Sequence, residues 1–154
     1  MTKPFPLQTL LNLSQLRMDD AAKRLGELLA GEHEAGARLA LLQQYRDEYH
    51  GRFLAAARNG IDRDSLSNYQ TFLGRLDDAI AQAHLMVEQS KQRTALGQRE
   101  WIDKRGRVQA YDTLSQRHRH HEQGIENRKE QKVQDEHTAR KHQVKEEGHD
   151  GGEQ

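Results

Sequence analysis

The chain has no cysteine, only two prolines, both before residue 7, an aromatic content of 5% and no net charge. Without cysteine there are no disulfides, no thiolate nucleophile and no cysteine-ligated metal, a usage that fits a reducing compartment. Equal numbers of Lys plus Arg and of Asp plus Glu, 24 each, argue against bulk nucleic-acid binding, which draws on an excess of cations. Long hydrophobic runs are missing too. Met1 to Leu16 lacks the apolar core of a signal peptide, and nothing approaches the roughly 20 apolar residues of a membrane span. The protein is therefore expected in the cytoplasm, reaching a membrane only through a partner and without inserting into it.

What is present is helix-forming and polar. Hydrophobic residues make up 34% of the chain, below the about 45–50% of an ordinary globular domain, and charged residues 31%. A compact core with a sheet and covering helices is not expected from this composition, whereas a two-helix seam needs only two apolar positions in seven. The sequence carries that pattern twice. From Leu7 the steps alternate between four and three: Leu7, Leu11, Ser14, Met18, Ala21, Leu25, Leu28, Glu32, Ala35, Leu39, Leu42, Arg46, Tyr49, Phe53, Ala56. Twelve of these fifteen positions are apolar, where composition alone gives about five. Asn59, Gly60 and Ile61 supply a stop, and Asp62 or Asp64 offers a carboxylate to cap the next helix. The spacing then resumes through Leu66, Tyr69, Leu73, Leu76, Ile80, Ala83, Val87, Ser90, Thr94, Gly97, Trp101, Lys104, Val108, Tyr111 and Ser115.

A short connection makes the two arms antiparallel neighbours. Folding them about Gly60-Ile61 sets Phe53 opposite Tyr69, Tyr49 opposite Leu73, Leu42 opposite Ile80, Leu25 opposite Gly97 and Ala21 opposite Trp101. In the last two of these pairs a large residue faces a small one, as close packing requires. Glu32 falls opposite Ser90, a polar match that holds register at some loss of stability. The fold class expected is all-α: a long antiparallel coiled-coil hairpin, each arm about fifty residues or roughly 75 Å long, with a disordered or lone-helix C-terminal tail. Its expected divisions are a lead-in at 1–6, the hairpin at 7–115 with its turn at 59–64, a charged helical extension at 116–147 and a disordered tail at 148–154. Beyond Ser115 the second helix is expected to have no partner.

Three features compete for a role. Tyr45 and Phe72 sit one position off the seam, four residues before Tyr49 and Leu76, so Leu42, Tyr45, Tyr49, Phe72, Leu76 and Ala79 can form one apolar patch on adjacent arms. The plainer reading is a widened core stripe, but a two-helix hairpin has no third layer to cover it. His118, His120, His121, His137 and His142 suggest a metal, yet no carboxylate or thiolate constellation accompanies them, and a solvated helix face is the default. Lys91, Arg93, Arg99, Lys104, Arg105 and Arg107 could meet an acidic partner, though such a run is usually a solvated face. No phosphate-cradling loop, nucleophile elbow or metalloprotease pair occurs, so neither an enzyme nor a cofactor is expected.

Along nearly the whole chain the residues also resemble a known family. Asp20-Ala21-Ala22 and Leu25-Gly26-Glu27, then Tyr45-x-x-Glu48-Tyr49, Gly60-Ile61 and Asn68-Tyr69-Gln70-x-Phe72 fall in order, followed by Trp101 with Lys104, Gln109-Ala110, and Glu126-Asn127-Arg128. In these the chain is similar to the flagellar export protein FliJ family. The resemblance implies a non-enzymatic component of the flagellar type III export apparatus, folded like the central stalk coiled coil of rotary ATPases. It also implies partners: the export ATPase FliI hexamer, the cytoplasmic side of the export gate protein FlhA, and export chaperones. The family's gate-binding surface maps onto Leu42, Tyr45, Tyr49, Phe72, Leu76 and Ala79, with Arg38 and Ala83 departing from its usual Gln and His. The competing readings from the residues are a coiled-coil scaffold that self-associates through the aromatic patch, and a nucleic-acid-binding regulator, which zero net charge disfavours.

Overall fold

The computed structural model describes residues 2–149, and these contain two helices and no strand. Helix α1 spans Gln8–Arg58 and α2 spans Arg63–His149. Two compact units are built from them: one comprises Leu16–Arg105, and the other joins the N-terminal residues as far as Gln15 to the chain from Gly106 onward.

In the hairpin unit, residues 16–105, the helices pack through the alternating four-and-three spacing. All its seam positions, from Met18 to Ala56 on α1 and from Leu66 to Lys104 on α2, are buried or half-buried. Ala21, at 1% exposure, and Ala83 are the closely packed small residues. Cross-helix contacts follow the expected register. The rings of Phe53 and Tyr69 lie 5.6 Å apart. Thr94 Oγ1 donates to Ser90 O at 2.9 Å and sits 3.4 Å from the Leu28 carbonyl across the seam. A Cβ built on Gly97 would come within 2.6 Å of Leu28 Cδ1 and 3.8 Å of Leu25 Cδ1, so glycine permits the close approach here. At the edges of the seam Arg24 donates to Glu100 at 2.6 Å, and the seam residue Arg46 reaches out to Asp77 at 2.5 Å. Such exposed pairs add more to register than to stability.

The turn follows from local chemistry. The last bonds of α1 run from Asn59 N to Ala55 O and from Gly60 N to Ala57 O, after which Gly60 takes φ +89°, a conformation that only glycine adopts cheaply. Ile61 turns back half-buried. Of the two acids expected as caps, Asp62 is the one used. It stands just outside α2, its carbonyl accepts from Leu66 N at 3.0 Å, and hydrogen bonds from the Ser65 hydroxyl and backbone N–H hold its carboxyl below the usual range.

In the terminal unit Leu11 and Ser115 are buried, with Leu7, Ser14, Val108 and Tyr111 half-buried around them. The expectation that α2 is unpartnered beyond Ser115 is corrected here. His118, Glu122 and Ile125 are half-buried because the lead-in does not trail into solvent. Pro4 and Pro6 bias the residues before them towards extended backbone, and this segment lies along α2, with Lys3 hydrogen-bonded to His118 and Glu122. From Glu126 to Gly148 every residue is exposed, and the helix persists on its own backbone bonds. Helix α2 includes 148 and 149, the first two residues of the segment expected to be disordered; the rest of it, 150–154, lies outside the described residues.

Candidate partner-binding surface

Phe72 and Asp77 are five positions apart on α2, which places them about 140° apart around the helix with Leu73 and Leu76 between. One edge of the seam is thus aromatic and the other ionic. On α1, Tyr45 precedes Tyr49 by one turn on the aromatic edge, while Arg46 leans to the other edge and meets Asp77. The hydrogen bond and negative charge of Asp77 hold the Arg46 guanidinium above its ordinary range.

The six candidate residues are gathered in the hairpin unit but play unequal parts. Phe72 packs on Tyr49, with ring centroids 4.3 Å apart at 47°, and still exposes 42% of its surface. Tyr49 in turn contacts Tyr69 at 5.2 Å, and Tyr69 contacts Phe53, so four rings form a chain leading from the seam to the surface. Tyr45 is 52% exposed. Leu42, Tyr49 and Ala79 are half-buried. Leu76, at 9% exposure, is core: it supports the surface from beneath and offers little to a partner. The arrangement is an aromatic ridge open to solvent, suited to docking.

Two neighbours belong with this edge and were not singled out from the sequence. Leu41 is exposed one turn before Tyr45, found by applying the same four-residue step in the other direction. A shallow groove lined by Gly31, Glu34, Ala35, Arg38, Ala83, Met86 and Ser90 continues the edge. Arg38 lies seven residues before Tyr45 and Met86 seven after Ala79, so both share the heptad position of the aromatic edge. Of the two family departures, Ala83 is buried in the seam and Arg38 is exposed in this groove.

The other sequence candidates resolve differently. Among the described residues no group of three or more His, Cys, Asp or Glu could hold a metal ion, and no helix is long and apolar enough to cross a membrane. The basic run is partly engaged within the chain: Lys91 lies 3.7 Å from Glu88, and the Arg105 guanidinium sits 5.3 Å over the Trp101 ring.

A family model described as flagellar FliJ protein matches residues 2–147. Two curated proteins of that description are similar to the chain. The one from Salmonella typhi is 37% identical over 134 residues, covering 87% of this chain and 91% of its own length. The one from Escherichia coli (strain K12) is 34% identical with the same coverage.

Proposed function

Because the chain belongs to the flagellar FliJ protein family, a non-enzymatic component of flagellar protein export, we propose that it links the export ATPase to the export gate. In this reading the aromatic ridge of the hairpin unit docks on the cytoplasmic side of the gate protein FlhA. Tyr45 and Phe72 make the contact, Leu42, Tyr49 and Ala79 border it, and Leu76 holds the ridge in place. The terminal unit engages the hexameric ATPase FliI, promotes its ring assembly and couples it to the gate, and the protein escorts export chaperones. Its place is then the cytoplasmic face of the inner membrane, reached through these partners.

The observation that carries the gate assignment is Phe72, seated on Tyr49 at 4.3 Å yet 42% exposed. A large ring held in one orientation and open to solvent loses little freedom on binding, which is the property of an interface anchor. The test is titration of the gate's purified cytoplasmic domain with the full chain carrying Tyr45→Ala and Phe72→Ala. A loss of about 1–4 kcal/mol of affinity with unchanged helicity is expected. Wild-type affinity in the double variant would remove the ridge from the gate interface. Pull-down of the purified ATPase by chains ending at residue 115 tests the terminal unit: undiminished capture and ATPase stimulation would contradict a role for the rest of α2.

A further inference from the structure

At the start of the chain, one residue is gripped through its backbone on both sides. Glu122 accepts from the Lys3 N–H at 3.3 Å, and His118 Nε2 lies 2.9 Å from the Lys3 carbonyl. Since that oxygen can only accept, Nε2 carries the proton and donates. His118 and Glu122 are four residues apart on α2, hence on one face, and together present a donor and an acceptor to an extended strand. Phe5 then lays its ring on the His118 imidazole, with centroids 5.7 Å apart.

Two prolines make the guest fit. Each biases the residue before it towards extended backbone, so Lys3 and Phe5 are shaped before they dock, and Lys3 keeps both backbone groups free of local bonds. The clamp reads main chain, not the Lys3 side chain. Nothing in those two hydrogen bonds distinguishes this segment from another extended peptide with an aromatic two residues downstream. Both bonds are exposed to solvent, so the segment is held by tethering and stiffness more than by contact strength.

We propose that residues 2–5 are a resident intramolecular ligand, and that their release opens an extended-peptide clamp on α2, formed by His118 and Glu122, for a protein segment carrying an aromatic two residues after the clamped position. The tethered strap keeps most clamps closed, so a competing peptide's apparent affinity falls by the fraction open. The inference is independent of the partners assigned above.

The test uses the full chain, wild type and with Pro4→Gly plus Phe5→Gly, titrated with the peptide Thr-Lys-Pro-Phe-Pro-Leu and followed by the amide resonance of Ile125, which is half-buried and lines one groove with Lys3 and Glu122. The released chain is expected to bind about tenfold more tightly than wild type, and His118→Ala with Glu122→Ala in that background is expected to abolish binding. Equal affinity for wild-type and released chains, failure of the released chain to bind, or binding that survives loss of His118 and Glu122 would each overturn the proposal. So would a wild-type dimer that dissociates on Pro4→Gly plus Phe5→Gly, because the clamp would then belong to a second copy of the chain.

Discussion

Gly97 and Gly74 are both helical glycines of α2 in the hairpin unit, and replacing each by alanine separates helix propensity from seam packing. Alanine in an open helical position is about 1 kcal/mol better than glycine. A Cβ at Gly74 meets nothing within 4 Å, so Gly74→Ala is expected to show that full gain. At Gly97 the same carbon would stand 2.6 Å from Leu28 Cδ1, about 1 Å inside a comfortable carbon–carbon distance. The Leu28 methyl must rotate away or the helices must part, and overpacking of this kind costs about 1–3 kcal/mol. Setting that against the propensity gain leaves Gly97→Ala between neutral and about 2 kcal/mol destabilised. Urea unfolding read by far-UV dichroism and by Trp101, the single tryptophan and one turn from Gly97, resolves the difference, because 1 kcal/mol moves the midpoint by about 0.3–1 M. Adding Leu28→Ala to Gly97→Ala is expected to relieve the clash and show non-additive coupling above about 0.5 kcal/mol. Equal stabilisation by the two glycine substitutions would refute the close approach at Leu28, and with it the register that places Gly97 there.

Leu76→Ala is expected to lower stability by about 2–5 kcal/mol, the range for a buried leucine, whereas Tyr45→Ala leaves the thermal midpoint nearly unchanged; thermal dichroism of the two variants checks the division between core and surface. Asp62 is held below the usual carboxylate range by Ser65, so its stabilising share is complete above the unfolded-state pKa and is lost as pH falls through the lower folded value. Wild type is therefore expected to lose helicity more than Asp62→Asn as acid is added below about pH 4, the neutral asparagine being a cap that does not titrate. The Arg46–Asp77 pair is exposed and 2.5 Å long; Asp77→Asn is expected to lower stability detectably in low salt and to match wild type in about 1 M salt, where the Debye length is about 3 Å.

How much of this could be read in advance differs by element. The seam was written in the sequence at every step, because a two-helix coil leaves only alternate three- and four-residue positions to bury, and polar occupants such as Glu32, Arg46 and Lys104 fall on it as readily as Leu and Ile. The choice between Asp62 and Asp64 was not, since both stand at the start of α2 and only the observed helix boundary shows which lies outside it. The strap was missed for a different reason. Six residues are too few for any periodicity, and Pro4-Phe5-Pro6 announces extended backbone without saying where it lies. Position relative to the seam exposed Tyr45 and Phe72 to view and equally marked Leu76 as core, yet grouping by neighbourhood placed all three in one patch. Exposure by itself does not single out a site here, because with no third layer Leu85, Met86 and Leu96 are exposed as well. What distinguishes Phe72 is that its ring is already seated on Tyr49, so the entropy of ordering it is met in the folded chain and not at the moment of binding. Heptad position tells which side chains reach solvent; only the contact geometry tells which of them are held ready for a partner.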